Sequence, residues 1–174
     1  ELDPQLRVGI MSTAVRYAKD NRLIDDLLDA YRLINDSELQ NDIASALTAT
    51  KNPEVIKRLL ALCKDKSTVR LQDFPRWFVW LLRNRYGREL TWQWARDNWG
   101  WIDESLRGDM HFDSIPRYIA SSLITAQQLK EYTTFFTPMK NKPALKRTIE
   151  IGIAELTGRV SLIERDGDAV RRTL

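Results

Sequence analysis

Cysteine and histidine are almost absent from this 174-residue sequence, since each occurs once, as Cys63 and His111. A single cysteine excludes an internal disulfide and a thiolate-rich metal cage. A single histidine excludes a metal site built from two or three imidazoles, including the paired-histidine helix motif. With the carboxylate clusters assigned to helix caps and solvated faces, we predict no catalytic residue and no metal ligand in this chain.

Long apolar runs and a large excess of charge are also missing. No apolar run approaches the ~20 residues that a membrane span needs, and the first residues do not resemble a signal peptide. The 27 Lys and Arg residues against 24 Asp and Glu residues leave a net charge of +3, which is too small and too evenly spread to require a nucleic acid or a membrane as partner. We expect neither partner. The chain begins with Glu1, and we expect it to be a processed or excised piece of a longer protein.

Glycine and proline are scarce, with seven and six residues, and apolar residues recur at spacings of three and four. This periodicity predicts an all-α fold. Asn52 followed by Pro53 predicts a helix start, and capping-box spacing predicts two more, at Asn35 with Glu38 and at Thr125 with Gln128. Leu6, Ile10, Ala14 and Tyr17 share one face of the first predicted helix.

The predicted helices are short and separated by a few polar residues, and each carries one apolar stripe. Consecutive antiparallel pairs of such helices build a curved stack, so we predict a HEAT-like or armadillo-like α-solenoid. No Pro-, Gly- or Ser-rich linker divides the sequence, which favours one domain over residues 1–174. In the last helical region, which begins at Pro143, Gly158 and Gly167 are candidate breaks.

All six tryptophans lie between residues 70 and 102, namely Trp77, Trp80, Trp92, Trp94, Trp99 and Trp101. Helical spacing predicts that these rings serve mainly as core, with one helix ending at Gly87 and the next running from about Arg88 to Asn98. Arg83, Arg85 and Arg88 could form a cationic strip beside the rings. The acids that follow, Asp97, Asp103 and Glu104, are expected to neutralise it.

A cation, an amide and a carboxylate meet at an inter-helix turn, as Arg70, Gln72 and Asp73. Asp73 could cap the helix of Trp77 while Arg70 pairs with a neighbouring acid. Alternatively, Arg70 could point into a cavity, where a guanidinium recognises a carboxylate or backbone carbonyls. Cys63 is predicted to be a small core residue. His111, in a loop beside Met110, is predicted to be a packing or loop residue.

Several motifs resemble the C-terminal helical domain of the aminopeptidase N family of zinc metallopeptidases, most closely its lactic-acid-bacterial members. They are V-R-L-Q-D at 69–73, Gly87, and T-W-Q-W-A-R-D-N-W at 91–99. The segments at 37–52, 129–136 and 159–166 extend the resemblance over essentially the whole chain.

The resemblance implies a multidomain parent in which another domain holds zinc through H-E-x-x-H and a downstream Glu. Neither that motif nor the family's G-x-M-E-N stretch is present here. The implied role is a bowl of helices that closes over the catalytic domain of a cytoplasmic enzyme, with that domain and peptides as partners. Arg70 and Gln72 would then face the chamber, with Asp73 as cap and organiser.

Two other functions stay open at the level of sequence. The chain could be a free-standing helical-repeat scaffold that binds a protein on its concave face. It could also be a hydrolase that uses its clustered carboxylates, although helix caps and solvated faces account for those clusters. If the chain is an excised domain, an uncovered apolar face could lead it to self-associate.

Overall fold

The computed structural model describes residues 3–109 and 111–173, and in this part of the chain every regular element is helical. The all-α prediction is therefore confirmed. Glu1 and Met110, which entered the predictions above, lie outside the described residues. Contacts group the chain into two compact units that meet in sequence between Asp97 and Asn98.

The N-terminal unit contains six helices, with the bounds α1 Pro4–Tyr17, α2 Arg22–Leu33, α3 Ser37–Leu47, α4 Pro53–Leu62, α5 Phe74–Arg83 and α6 Arg88–Asp97. The C-terminal unit contains four more, α7 Trp99–Leu106, α8 Ile115–Ser122, α9 Ala126–Phe136 and α10 Pro143–Thr173. Short 3₁₀ helices at Phe112–Ser114 and Thr137–Asn141 precede α8 and follow α9.

The N-terminal unit is organised around α3, which packs against α1, α2 and α5, while α6 packs against α4 and α5. Trp77 and Trp92 are buried completely. The ring of Tyr31 meets that of Trp77 edge-on, with centroids 5.3 Å apart. Such a geometry is favoured by the opposite charge of ring faces and edges. The prediction that the tryptophans form core is confirmed for Trp77 and Trp92, whereas Trp80 and Trp94, and Trp101 in the C-terminal unit, stay partly exposed.

In the C-terminal unit α10 packs along α8 and α9. Trp99 of α7 is buried and meets the ring of Phe136 edge-on, with centroids 5.0 Å apart. The buried Tyr132 hydroxyl donates a hydrogen bond to the carbonyl of Pro116 over 2.9 Å. α10 reaches α9 closely at Gly152, where an added Cβ would overlap the Tyr132 hydroxyl and lie 3.1 Å from the Ala120 Cβ.

Helix starts follow the sequence in two of the three predicted places. Asn52 accepts the backbone N–H of Glu54 ahead of α4, and Thr125 with Gln128 forms the full capping box of α9. The box predicted at Asn35 is wrong, because α3 is capped by Asp36, whose carboxylate accepts the N–H groups of Glu38 and Leu39. Asn35 and Asp36 are equally good capping residues, so composition alone could not choose between them.

The helix ends were harder to place. α5 ends at Arg83, four residues before the predicted stop at Gly87. Gly87 instead precedes α6, where a Cβ would lie 2.9 Å from the carbonyl oxygen of Leu81. The breaks predicted at Gly158 and Gly167 are wrong, since α10 continues through both. A glycine inside a helix costs only about 1 kcal/mol, which the packing of α10 offsets.

Neighbouring helices pair at α2/α3, α5/α6 and α9/α10, whereas α1 packs on α3 and α8 on α10. The curved stack and the single domain stay predictions. The apolar face predicted on α1 is largely exposed, with Leu6 60% and Tyr17 68% accessible. Val15 is the buried residue of this helix. Within residues 3–109 and 111–173, none of the helices is long and apolar enough to cross a membrane.

Candidate functional site

The turn between α4 and α5 is held by hydrogen bonds centred on Asp65. Its carboxylate accepts the N–H and the hydroxyl of Ser67, at 3.0 and 2.6 Å, and the hydroxyl of Thr68 at 2.8 Å. These bonds lower the pKa of Asp65, because they stabilise its charged form. Val69 follows as a buried residue. The turn therefore delivers Arg70 to the surface at a fixed place.

Arg70 donates from Nε to the Asp73 carboxylate over 2.8 Å. Asp73 precedes α5, but its side chain makes no capping bond to that helix. The expectation that Asp73 caps α5 through its carboxylate is therefore wrong, because the backbone of Asp73 is already helical (φ −91°, ψ −17°), whereas a capping side chain requires an extended backbone at that position. The expected pairing of Arg70 with a neighbouring acid is confirmed.

The two partners differ in exposure. The Arg70 side chain is 57% accessible, whereas that of Asp73 is 15% accessible. Gln72 is exposed. The ion pair uses Nε, and the terminal nitrogens of Arg70 form no hydrogen bond with another described residue. This side of the guanidinium is available to a ligand. The chamber-facing role of Arg70, Gln72 and Asp73 stays a prediction.

The other chemically distinctive residues, Cys63 and His111, do not belong to one common site. Cys63 is buried, as predicted for a core residue, and burial raises the pKa of its thiol to about 12. His111 is exposed ahead of the first 3₁₀ helix, where its backbone N–H donates to Asp109 over 2.7 Å. Across the described residues there is no group of three or more His, Cys, Asp or Glu side chains that could hold a metal ion.

The N-terminal unit also carries an open cleft of about 640 Å³ that sequence reasoning did not find. We call it the basic cleft. Its walls come from α1, α3, the turn that follows α3, and α5 with the three residues after it. The lining includes four cations, Arg16, Lys51, Arg83 and Arg85, and three aromatic residues, Tyr17, Trp80 and Tyr86.

Cations and rings are interleaved in the basic cleft. The Lys51 ammonium lies over the Tyr17 ring, 4.2 Å from its centroid, and 5.8 Å from the centroid of Tyr86. The Arg85 guanidinium lies 4.7 Å from the Tyr86 centroid and also donates to the Tyr86 hydroxyl. That bond, with the positive charges of Arg85, Lys51 and Arg16, lowers the pKa of Tyr86. The cations therefore converge on one place.

The charges of the basic cleft are not balanced locally. Among the described residues no Asp or Glu lines it, and its four cations form no ion pair with any of them. Elsewhere arginines have acidic partners, for example Arg7 with Asp42 at 2.7 Å and Arg117 with Glu155 at 2.6 Å. A cleft lined by one sign of charge concentrates ions of the opposite sign.

Asn84 holds the inner wall of the basic cleft in place. Its amide nitrogen donates to the carbonyls of Thr48 and Thr50, at 2.8 and 2.7 Å. Its carbonyl oxygen accepts the N–H of Tyr86 at 3.0 Å. One side chain thus ties the end of α5 to the turn after α3, and so fixes the backbone on which Lys51, Arg85 and Tyr86 are mounted.

Only part of this cleft was predictable from the sequence, because Arg16 and Lys51 join Arg83 and Arg85 through the packing of α1, α3 and α5. The third member of the predicted strip, Arg88, is not among the lining residues. The expected neutralisation by the following acids is wrong. Asp103 pairs with Arg107 and Lys142, and neither Asp97 nor Glu104 lines the cleft.

Comparison with known proteins gives a consistent result. The model of the ERAP1-like C-terminal domain family matches residues 1–157. An aminopeptidase N of Lactococcus lactis subsp. lactis is 36% identical over 152 residues, which is 87% of this chain and 18% of the relative. An aminopeptidase N of Lactobacillus helveticus is 32% identical over 169 residues, or 97% of this chain and 20% of the relative. The similarity extends to a glutamyl aminopeptidase of Bitis rhinoceros, at 23% identity over 136 residues, 78% of this chain and 14% of that protein.

Proposed function

Because the chain belongs to the ERAP1-like C-terminal domain family, we propose that it is the non-catalytic C-terminal domain of a bacterial, cytoplasmic zinc aminopeptidase. The resemblance to the C-terminal helical domain of the aminopeptidase N family is confirmed by the comparisons. In the proposed enzyme this domain encloses the active-site chamber, and admits and positions peptides. The catalytic domain of the same parent chain is its partner.

The observation that carries the proposal is the ratio of lengths in the comparisons. The chain spans about a fifth of the lactic-acid-bacterial relatives, 18% and 20%, while nearly all of it is matched. The other four-fifths of such a protein would hold the catalytic machinery, in which zinc would activate the attacking water. The contribution of this chain would be geometric, since remote contacts orient a substrate and a cover excludes bulk water.

The proposal is tested by assaying this chain and the longer protein side by side. We expect the isolated chain to release no product from aminoacyl anilides and to contain no zinc. With the rest of the open reading frame restored, we expect zinc-dependent hydrolysis. Hydrolysis by the isolated chain would favour the carboxylate hydrolase, and a restored protein without any peptidase activity would favour the free-standing scaffold.

Arg70 gives a prediction within this proposal. In the restored parent, Arg70→Ala should raise the KM for peptides or shift the preferred peptide length, because the exposed guanidinium would contact the peptide. An ion pair as exposed as that of Arg70 with Asp73 contributes less than about 1 kcal/mol to stability, so folding should be preserved. The measurement is a kinetic series over peptides of increasing length.

Lys66→Ala is the matched control for this substitution, since Lys66 is an exposed cation in the same turn. It should leave the kinetics unchanged. Equal kinetics of the Arg70 variant and the unmodified enzyme at every peptide length would remove Arg70 from the chamber and leave it a structural role in the turn.

A further inference from the structure

The basic cleft is the strongest unassigned feature of the described chain, because its charge has no local explanation. Four cations converge there with no acidic residue of the described chain in the lining, whereas arginines such as Arg7, Arg58 and Arg117 are paired with carboxylates. Grouped like charges repel each other, and this repulsion is relieved when an anion binds. The cleft is therefore built to receive negative charge from outside the described chain.

The size of the basic cleft argues for more than a single anionic group. Its volume of about 640 Å³ lies well inside the range of roughly 300–1,000 Å³ that is typical of ligand sites. One carboxylate is satisfied by one guanidinium in a bidentate pair. Three arginines and a lysine along the walls can therefore serve several carboxylates at once. The hydroxyls of Ser12 and Ser45 in the same lining add neutral donors.

The arrangement of the rings favours carboxylates over nucleic-acid bases. Single-stranded nucleic acids bind through bases that stack on open aromatic faces. Here the Lys51 ammonium covers a face of Tyr17, and the Arg85 guanidinium covers a face of Tyr86. These two of the three rings hold the cations in position and are partly closed to stacking, while Trp80 is partly exposed. The cations are therefore the main groups presented to a ligand.

We propose that the basic cleft binds the acidic part of a peptide, a segment that brings two or more carboxylates from Asp or Glu side chains. The proposal rests on the peptide-handling function proposed above and adds a preference to it. Arg16 and Arg83 engage the carboxylates from α1 and α5, and Lys51 and Arg85 engage them from the turns. Peptides with acidic residues would thus be held more tightly than neutral peptides of the same length.

The test measures binding to the intact chain and does not depend on catalysis. The probes are octapeptides with three glutamates in the last four positions and matched peptides with three glutamines, each with a free and an amidated C-terminus. By isothermal titration calorimetry we expect the glutamate peptides to bind at least about tenfold more tightly than the glutamine peptides, since charge-assisted hydrogen bonds are about twice as strong as neutral ones. Amidation should change the affinity by less than about threefold. Ionic strength is kept near ~0.15 M, where surface charges are screened beyond roughly 8 Å.

Matched charge variants separate the cleft from the overall charge of the chain. Arg83→Gln with Arg85→Gln should remove the preference for glutamate, whereas Arg22→Gln with Lys66→Gln, two exposed cations outside the lining, should preserve it. All four residues are exposed, so both double variants should fold, and circular dichroism checks this.

Four results would overturn the proposal. They are equal binding of glutamate and glutamine peptides, equal loss in the two double variants, binding that disappears on amidation alone, and tighter binding of a single-stranded DNA octamer. If only amidation abolished binding, the cleft would bind the C-terminal carboxylate of the peptide and not its acidic side chains. The proposed function fails separately, if the restored parent lacks peptidase activity, so the two failures can be told apart.

Discussion

Gly152→Ala is expected to destabilise the C-terminal unit by about 3 kcal/mol, although alanine is the better helix former. The new methyl group would overlap the Tyr132 hydroxyl and crowd the Ala120 Cβ at 3.1 Å. Overpacking of this kind costs ~1–3 kcal/mol, and losing the buried bond from Tyr132 to Pro116 adds ~1–3 kcal/mol. The higher helix propensity of alanine over glycine stabilises the variant by only ~1 kcal/mol. Urea unfolding followed by circular dichroism measures the difference.

The same helix provides a control for this prediction. Gly158 has no atom within 4 Å of an added Cβ, so Gly158→Ala should raise stability by up to ~1 kcal/mol. Tyr132→Phe removes the overlapping hydroxyl, and combining it with Gly152→Ala should cost less than the sum of the two single changes. Equal effects of the two glycine substitutions would show that α10 does not approach α9 closely.

Asn84→Ala is expected to lower the free energy of unfolding of the N-terminal unit by about 2–3 kcal/mol. It removes three hydrogen bonds, to Thr48, Thr50 and Tyr86, each worth ~0.5–1.5 kcal/mol. Half-burial of Asn84 limits how well water can replace them. The near-isosteric Asn84→Asp should also destabilise at neutral pH, because its carboxylate faces two carbonyl oxygens. The loss is measured by chemical denaturation.

Asn35→Ala is the matched control, since Asn35 is exposed and makes none of the bonds that cap α3. It should change stability by less than ~0.5 kcal/mol. If Asn84→Asp proved as stable as the unmodified chain, shape and not hydrogen bonding would hold the turn after α3, and the account of the cleft wall would be wrong.

Local signals were sufficient for much of the fold. The apolar periodicity predicted helices throughout, and caps that depend on neighbouring residues were correctly placed at Asn52 and Thr125. The burial of Trp77 and Trp92 followed from helical spacing and ring size. The failures concerned glycines, because a helix penalty of only about 1 kcal/mol does not by itself end a helix. α10 passes through Gly158, and Gly87 precedes α6 instead of ending α5.

The candidate sites show the same division. The ion pair of Arg70 with Asp73 spans three residues, so the sequence was enough to expect a partner for Arg70. The basic cleft joins Arg16 to Arg83, 67 positions apart along the chain, through α1, α3 and α5. Local pairing preferences within one helix carry no information about contacts between residues so far apart in the sequence. A prediction based on nearby acids therefore assigned the wrong counter-charges.

The burial of Cys63 has a practical consequence for experiments on this chain. A thiol with a pKa near 12 provides almost no thiolate at neutral pH, and thiolate is the form that reacts. A cysteine introduced at an exposed position, such as Ala14→Cys on α1, should then be the thiol that a maleimide dye modifies. Fluorescent labelling of α1 would then require no prior removal of the native cysteine.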